Sequence, residues 1–301
     1  MEETQETPKA AIVLESAEEP RRGKRVSTWA RLRRSPGAMI GLVLIGLLLL
    51  MALTADLTAR QGIDEQDLRK GLLSPGREFV LGTDEFGRDM LSRIIHGSRV
   101  SLQVGIIATA VSAAVGISLG AIAGYFGGRI DYLIQGIVDI SWAFPTILMA
   151  IFLIAVLGPS LTNVMIAVGV VYWGGFARVV RGQVLSLREW EFVLAAQAIG
   201  AGDWRIMFRH ILPNIISPVI VMATLMMGDA ILIEATLSFL GMGAQPPTPS
   251  WGSILASGRA YLVIGPWVTL FPGIAIMLTV LGFNLLGDGL RDALDPRLKN
   301  L

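Results

Sequence analysis

The chain has 301 residues, 53% of them hydrophobic and 16% charged, with a mean hydropathy of +0.61. Ordinary soluble domains hold about 25% charged residues, so this composition excludes intrinsic disorder and argues against a water-soluble enzyme. The net charge of +1, the absence of Cys and the presence of only two His, His96 and His210, exclude a basic nucleic-acid surface, a disulfide framework and a His-rich metal cluster.

The N-terminal tail, residues 1–37, turns from acidic to basic and holds Arg21, Arg22, Lys24, Arg25, Arg31, Arg33 and Arg34. Charges then vanish over long stretches. A hydrocarbon core about 30 Å thick needs about 20 apolar helical residues to cross it. Met39–Ala55, Val100–Gly128 and Ala260–Gly287 are such runs. Ile140–Ala177 carries no Asp, Glu, Lys, Arg or His over 38 residues, too many for one crossing, and Gly158-Pro159-Ser160 divides it. Ile215–Leu240 is apolar apart from Asp229 and Glu234. The pattern predicts an all-α membrane protein of six transmembrane helices, at 38–57, 101–126, 131–157, 161–180, 217–240 and 267–287. Pro145 is expected to kink the third. Gly116, Gly120, Gly124 and Gly128 recur every fourth residue, which permits close approach of another helix within this chain or outside it. The basic N-terminal flank places that end in the cytoplasm, and six crossings return the C-terminus, 291–301, to the same side. On this topology 17 Lys and Arg lie inside and 8 outside.

Between the helices lie an extracytoplasmic segment 58–99, an inner segment containing the loop 189–214, and an extracytoplasmic Pro-rich loop 241–262. Residues 100–290 form a five-helix core around the latter two. In the inner loop, Glu189 and Glu191 suit the start of a short helix. Ala195, Ala196 and Ala198 keep it thin, and Gly200 and Gly202 end it. Asp203 is the expected N-cap of a second short helix. That helix carries Trp204, Ile206, Met207, Phe208, Ile211 and Leu212 beside Arg205, Arg209 and His210, and Pro213 ends it. So many apolar side chains must pack on membrane helices or on a partner.

Ala195-Ala196-x-x-x-Gly200, nine residues, then His210-x-Leu212-Pro213 resembles the cytoplasmic "EAA" loop of ABC-importer permeases. Here Leu194 stands in place of the usual Glu, and His210 where Ile is common. Further stretches sharpen the resemblance: Leu81-Gly-Thr-Asp-Glu-Phe-Gly-Arg-Asp89, Gly124-Tyr-Phe-Gly-Gly128, Leu237-Ser-Phe-Leu-Gly-Met-Gly243, Pro246-Pro-Thr-Pro-Ser-Trp-Gly252 and Phe283 to Arg297. Together they are similar to the C-type subunit of the dipeptide, oligopeptide and nickel ABC importers, from about residue 28 onward.

The resemblance implies a type I ABC importer permease fold and a subunit of a larger machine in the bacterial inner membrane. It implies a sister permease, two ATPase subunits that hold ATP and Mg, and an extracytoplasmic substrate-binding protein. This agrees with the absence of a G-x-x-x-x-G-K-[ST] phosphate loop and of hydrolytic motifs. No catalytic residue, cofactor or metal ligand is expected in this chain. The ATPase-coupling surface implied comprises Glu191, Ala195, Ala196, Gly200, Asp203, Trp204, Phe208, Arg209, His210, Leu212 and Pro213. Gly200→Glu or Ala196→Arg is expected to leave the protein inserted and to end coupled ATP hydrolysis. Asp139, Asp229 and Glu234, ionisable at membrane depth, are candidates for the translocation path, or for bonds between helices. Asp84, Arg88, Asp89 and Trp251 are candidates for docking the binding protein, with a local salt-bridged cap as the other reading. Peptide import by alternating access is the function implied. Nickel or another small solute carried by the same machinery, and a self-contained secondary transporter or channel, are the alternatives.

Overall fold

A computed structural model describes residues 28–63 and 65–294. Among these, regular structure is helical, with one isolated bridge between Thr83 and Asp89. Short α1 (Thr28–Leu32) precedes α2 (Pro36–Leu53), where Ser35 caps the backbone N–H of Ala38 and Pro36 occupies the first turn. A single turn, α3 (Ala55–Thr58), leads into the irregular segment before α4 (Met90–Phe126). Next come α5 (Gly128–Trp142), α6 (Thr146–Leu157), α7 (Leu161–Leu187), α8 (Glu191–Ala198), α9 (Asp203–Ile206), α10 (Ile216–Phe239), α11 (Trp251–Gly258) and α12 (Trp267–Leu294). Five of them, α2, α4, α7, α10 and α12, are long and apolar enough to cross a membrane.

The predicted helix 131–157 is not a single kinked rod. It is the pair α5 and α6, bent by 91°. Counted as one span, the pair brings the total to six. Pro145 sits at the break in extended conformation. It supplies no N–H to α5 and disfavours helical geometry at Phe144, so α5 ends at Trp142. The twelve residues of α6 reach about 18 Å, well short of a full crossing. Other ends also shift. Helix α4 starts eleven residues before the predicted 101, because the Asp89 carboxylate caps the N–H of Ser92 at 2.9 Å. Helices α7 and α12 each run seven residues past the predicted ends.

Helix α4 lies against α7 along its C-terminal half. A Cβ on Gly116 would stand 2.5 Å from the Trp173 carbonyl oxygen, one on Gly120 2.4 Å from that of Ala177, and one on Gly124 2.9 Å from that of Arg181. Three of the four small residues of the repeat are therefore the contact, and its partner is within the chain. The fourth, Gly128, begins α5 and faces open space. Helix α12 packs on both α10 and α2, burying Phe283 and Ile45 in one cluster.

These contacts sort the loops into two ends. Helices α8 and α9 lie at the end where α7 stops and α10 starts, joined in one core. The segment 65–89, α11 and the start of α12 gather at the other, where Leu72, Leu81, Met90, Ile254, Val268 and Trp267 pack together. There Arg99 reaches back to Asp56 at 2.7 Å and holds its carboxyl below the ordinary carboxylate range.

Candidate functional site

The loop 189–214 has two faces. One is built from Val193, Ala196, Ile206, Met207 and Ile211, all buried. They share a core with Ala121 of α4, Phe176, Val180 and Val184 of α7, and Val219 of α10. The backbone then winds from α9 through a wide turn at Met207–Ile211 and a tight one at Leu212–Asn214 into α10. Pro213 lies in that last turn and starts no new break; the Asn214 amide donates back to the His210 carbonyl at 2.6 Å.

The other face is apolar and exposed. Ile199 is 86% exposed, Trp204 58% and Phe208 62%. Trp204 and Phe208 stack with ring centroids 5.9 Å apart, and Phe126 meets Trp204 edge-on at 6.3 Å. These aromatic rings form a ladder on the surface of the loop and not part of its core. Beside them is a hollow of about 570 Å³ floored by Ala195, Ile199 and Gly200 and edged by Arg205, Arg209 and His210. Gly200 has φ +79°, which a side chain rarely adopts, so α8 ends there as expected.

Two expectations in this loop need correction. Asp203 is the first residue of α9 and not its cap; Gly202 holds the cap position. The Asp203 carboxylate instead accepts a hydrogen bond from the Tyr125 hydroxyl at 2.9 Å, tying α9 to the end of α4. Ala196 points into the core, so Ala196→Arg breaks the loop's packing and is no clean test of its surface. Ala195, Glu191 and Gly200 are exposed, and Leu212 is partly buried.

The three intramembrane acids part company. Asp139 of α5 pairs with Arg178 of α7 at 2.5 Å, and that guanidinium lies 4.0 Å over the Trp142 ring. A second pair, Asp131 with Arg181, repeats the link one helical stretch earlier. Neither arginine is among the candidate residues that the sequence offers. The eight-residue spacing of the two acids and the three-residue spacing of the two arginines were the available signal. Glu234 is fully buried in α10. Its Oε1 accepts from Ser238 Oγ at 2.6 Å, and Ser238 Oγ in turn accepts from the Ala244 N–H at 3.2 Å. Glu234 therefore fastens the end of α10 to the following loop. Asp229 is exposed and makes no ion pair among the described residues. A hollow of about 510 Å³ at the bend between α5 and α6 is lined by Trp142, Phe144, Pro145 and Tyr172.

At the opposite end the docking candidates turn inward. Asp84 is buried, accepting from the N–H groups of Phe86 and Arg88 at 2.9 and 3.0 Å and from Arg88 Nε at 2.6 Å. Asp89 is buried as the α4 cap. Trp251 is fully buried and its indole N–H donates to the Ile94 carbonyl at 3.0 Å, across 157 residues of sequence. Asp84, Asp89 and Trp251 present no surface, and Arg88, half-buried, is paired with Asp84; the four build the cap that holds this end together. Trp251→Ala should lower unfolding stability by about 3–5 kcal/mol, the range for deleting a buried aromatic side chain. Thermal unfolding in detergent reads this, and an unchanged midpoint would remove Trp251 from the cap.

Residues 116–300 match a family described as binding-protein-dependent transport system inner membrane component, and residues 26–75 match the N-terminal transmembrane domain of oligopeptide transport permease C. The dipeptide transport system permease protein DppC of Alkalihalophilus pseudofirmus is 49% identical over 279 residues, 91% of this chain and 92% of that one. The glutathione transport system permease protein GsiD of Pectobacterium atrosepticum is 44% identical over 90% of this chain and 91% of its own length. The di/tripeptide transport system permease protein DppC of Pseudomonas aeruginosa is 44% identical over 90% and 92%. Among solved structures, a chain of the methionine ABC transporter MetNI, in an inward-facing form, superposes with a TM-score of 0.57 at 17% identity, covering 68% of this chain and 98% of that one.

Proposed function

This chain belongs to the family of binding-protein-dependent transport system inner membrane components, and on that premise we propose that it is a permease subunit of an ATP-driven importer of short peptides. The peptide substrate rests on the relatives named for dipeptides, di/tripeptides and glutathione. The coupling to ATP rests on one observation, the two-faced loop. Its buried face belongs to the same core as α4, α7 and α10, so the loop and those helices move as one body. Its exposed face offers Ile199, Trp204 and Phe208 beside a hollow edged by arginines, the composition of an anchor on a protein partner.

In this reading two ATPase subunits hold ATP and Mg, and this chain performs no hydrolysis. Closure of the ATPases displaces the loop. The helices fixed to it tilt, and a cavity shared with a sister permease opens to the opposite side of the membrane. The loop end, with both termini, faces the cytoplasm of a bacterial inner membrane; the 65–89 end faces outward and meets the substrate-binding protein. Asp229, exposed and without an ion pair among the described residues, would meet a peptide's ammonium group, while Asp139 and Glu234 are held by their own neighbours.

The test is reconstitution of the complete importer in nanodiscs. Dipeptide-loaded binding protein should stimulate ATP hydrolysis several-fold over the unloaded assembly. Uptake of dipeptide by this chain alone, or a loop found accessible only from outside, would overturn the reading.

A further inference from the structure

Between the 65–89 segment, the loop after α10 and α11 lies a crevice of about 320 Å³, with Glu85, Arg88, Arg93, Pro246 and Thr248 on its walls. Arg93 stands in the first turn of α4 with its side chain only 9% exposed. Its Nη1 has no hydrogen-bond partner, and its Nε, 3.5 Å from Asp84 Oδ2, makes no hydrogen bond either. Asp84 is already engaged by Arg88 and two backbone N–H groups. Across the same crevice the Glu85 carboxylate is 12% exposed, and its Oε2 is buried without a partner. Its nearest cation, Arg88, is 4.0 Å away and committed to Asp84.

A guanidinium stays charged at any physiological pH, and burying unpaired donors is expensive. Asp84 and Glu85 balance Arg88 and Arg93, so the site is neutral as a whole. An anion alone would unbalance it. What fits is a small molecule carrying both charges: a carboxylate for Arg93 and an ammonium for Glu85.

We propose that this crevice is an entry subsite for zwitterionic short peptides, the C-terminal carboxylate meeting Arg93 and the N-terminal ammonium meeting Glu85. The volume accommodates a dipeptide-sized solute and no folded element. The inference rests on the peptide-importer reading above and adds to it a recognition site belonging to the permease itself. The exposed Pro246 and Thr248 form the mouth through which such a peptide enters.

The experiment is titration of the assembled importer, without binding protein, by Ala-Ala, by N-acetyl-Ala-Ala and by Ala-Ala amide, using calorimetry. Saturable binding of Ala-Ala is expected, weakened about tenfold or more when either end is capped, as for loss of a charge-assisted bond. Glu85→Gln should erase the penalty for acetylation and Arg93→Gln the penalty for amidation, a switch in preference that a purely structural role would not produce. Should Arg93→Gln fail to assemble, Thr248→Trp, which fills the mouth from an exposed position, must abolish Ala-Ala binding while the complex stays intact. Equal binding of all three compounds, or no binding of Ala-Ala to the wild-type importer, overturns the inference. So does a loss of binding-protein docking in Glu85→Gln and Thr248→Trp with Ala-Ala binding unchanged. If dipeptide uptake and coupled hydrolysis persist through any of these results, the crevice fails and the importer reading stands.

Discussion

Trp204→Glu combined with Phe208→Glu should abolish substrate-stimulated ATP hydrolysis and peptide uptake while the protein still inserts and folds. Both rings are more than half exposed and stack mainly on one another, so their loss removes little from the chain's own core. Their neighbours Ile206, Met207 and Ile211, which do fill that core, are untouched. An apolar anchor replaced by a carboxylate faces a double penalty at an interface: lost burial, and a charge desolvated without a partner. Together these amount to about 4 kcal/mol or more, a loss of a thousandfold in affinity for the ATPase. Uptake into proteoliposomes and copurification of the ATPases read the effect. Ile206→Glu provides the contrast: it should prevent folding of the loop and lower the amount of protein recovered. Wild-type coupling in the double variant would show that the ladder is an incidental patch.

Gly120→Leu should prevent the bundle from forming. A Cβ alone at this position would lie 2.4 Å from the Ala177 carbonyl oxygen and 2.9 Å from its Cα. The obstacle is backbone, which no rotamer change relieves, so α4 and α7 must separate. Separation exposes Phe176 and Val180, which belong to the core under the loop 189–214. Overpacking ordinarily costs about 1–3 kcal/mol where side chains can yield; here the cost should exceed that range. The matched control is Gly46→Ala on α2, where nothing lies within 4 Å of the added Cβ. Recovery of folded protein and its melting temperature in detergent distinguish the two. A Gly120→Leu protein that accumulates normally and couples ATP hydrolysis would mean that α4 and α7 are not held at this distance.

Helix α10 was legible to within a residue, since Ile215–Leu240 is bounded by Pro213 on one side and a glycine-rich turn on the other. The glycine repeat of α4 declared a close contact because small residues at i and i+4 share one helix face. The loop's two short helices were visible in their alanines, glycines and periodic apolar residues. Other features were beyond reach. Hydropathy counts apolar residues and carries no direction, so the turn between α5 and α6 looked like continuous span; Pro145 marked its place and not its angle. Asp84, Asp89 and Trp251 looked like surface because they are polar or lie in a proline-rich loop, and their partners are set by the fold. Trp251 is satisfied by Ile94, and Asp203 by Tyr125, 78 residues away.

What the sequence determined by itself was the solvent of each segment: which runs belong in lipid, which must find a partner, and where helices come close. These follow from transfer free energies and side-chain volume, properties that each residue carries wherever it is placed. What the tertiary structure decided was pairing: Asp139 with Arg178, Asp131 with Arg181, Trp251 with Ile94, and a common crevice lined by Arg93 and Glu85, whose Nη1 and Oε2 atoms have no hydrogen-bond partner among the described residues. Pairing depends on distances between residues far apart in the chain, and only packing of the helices sets those.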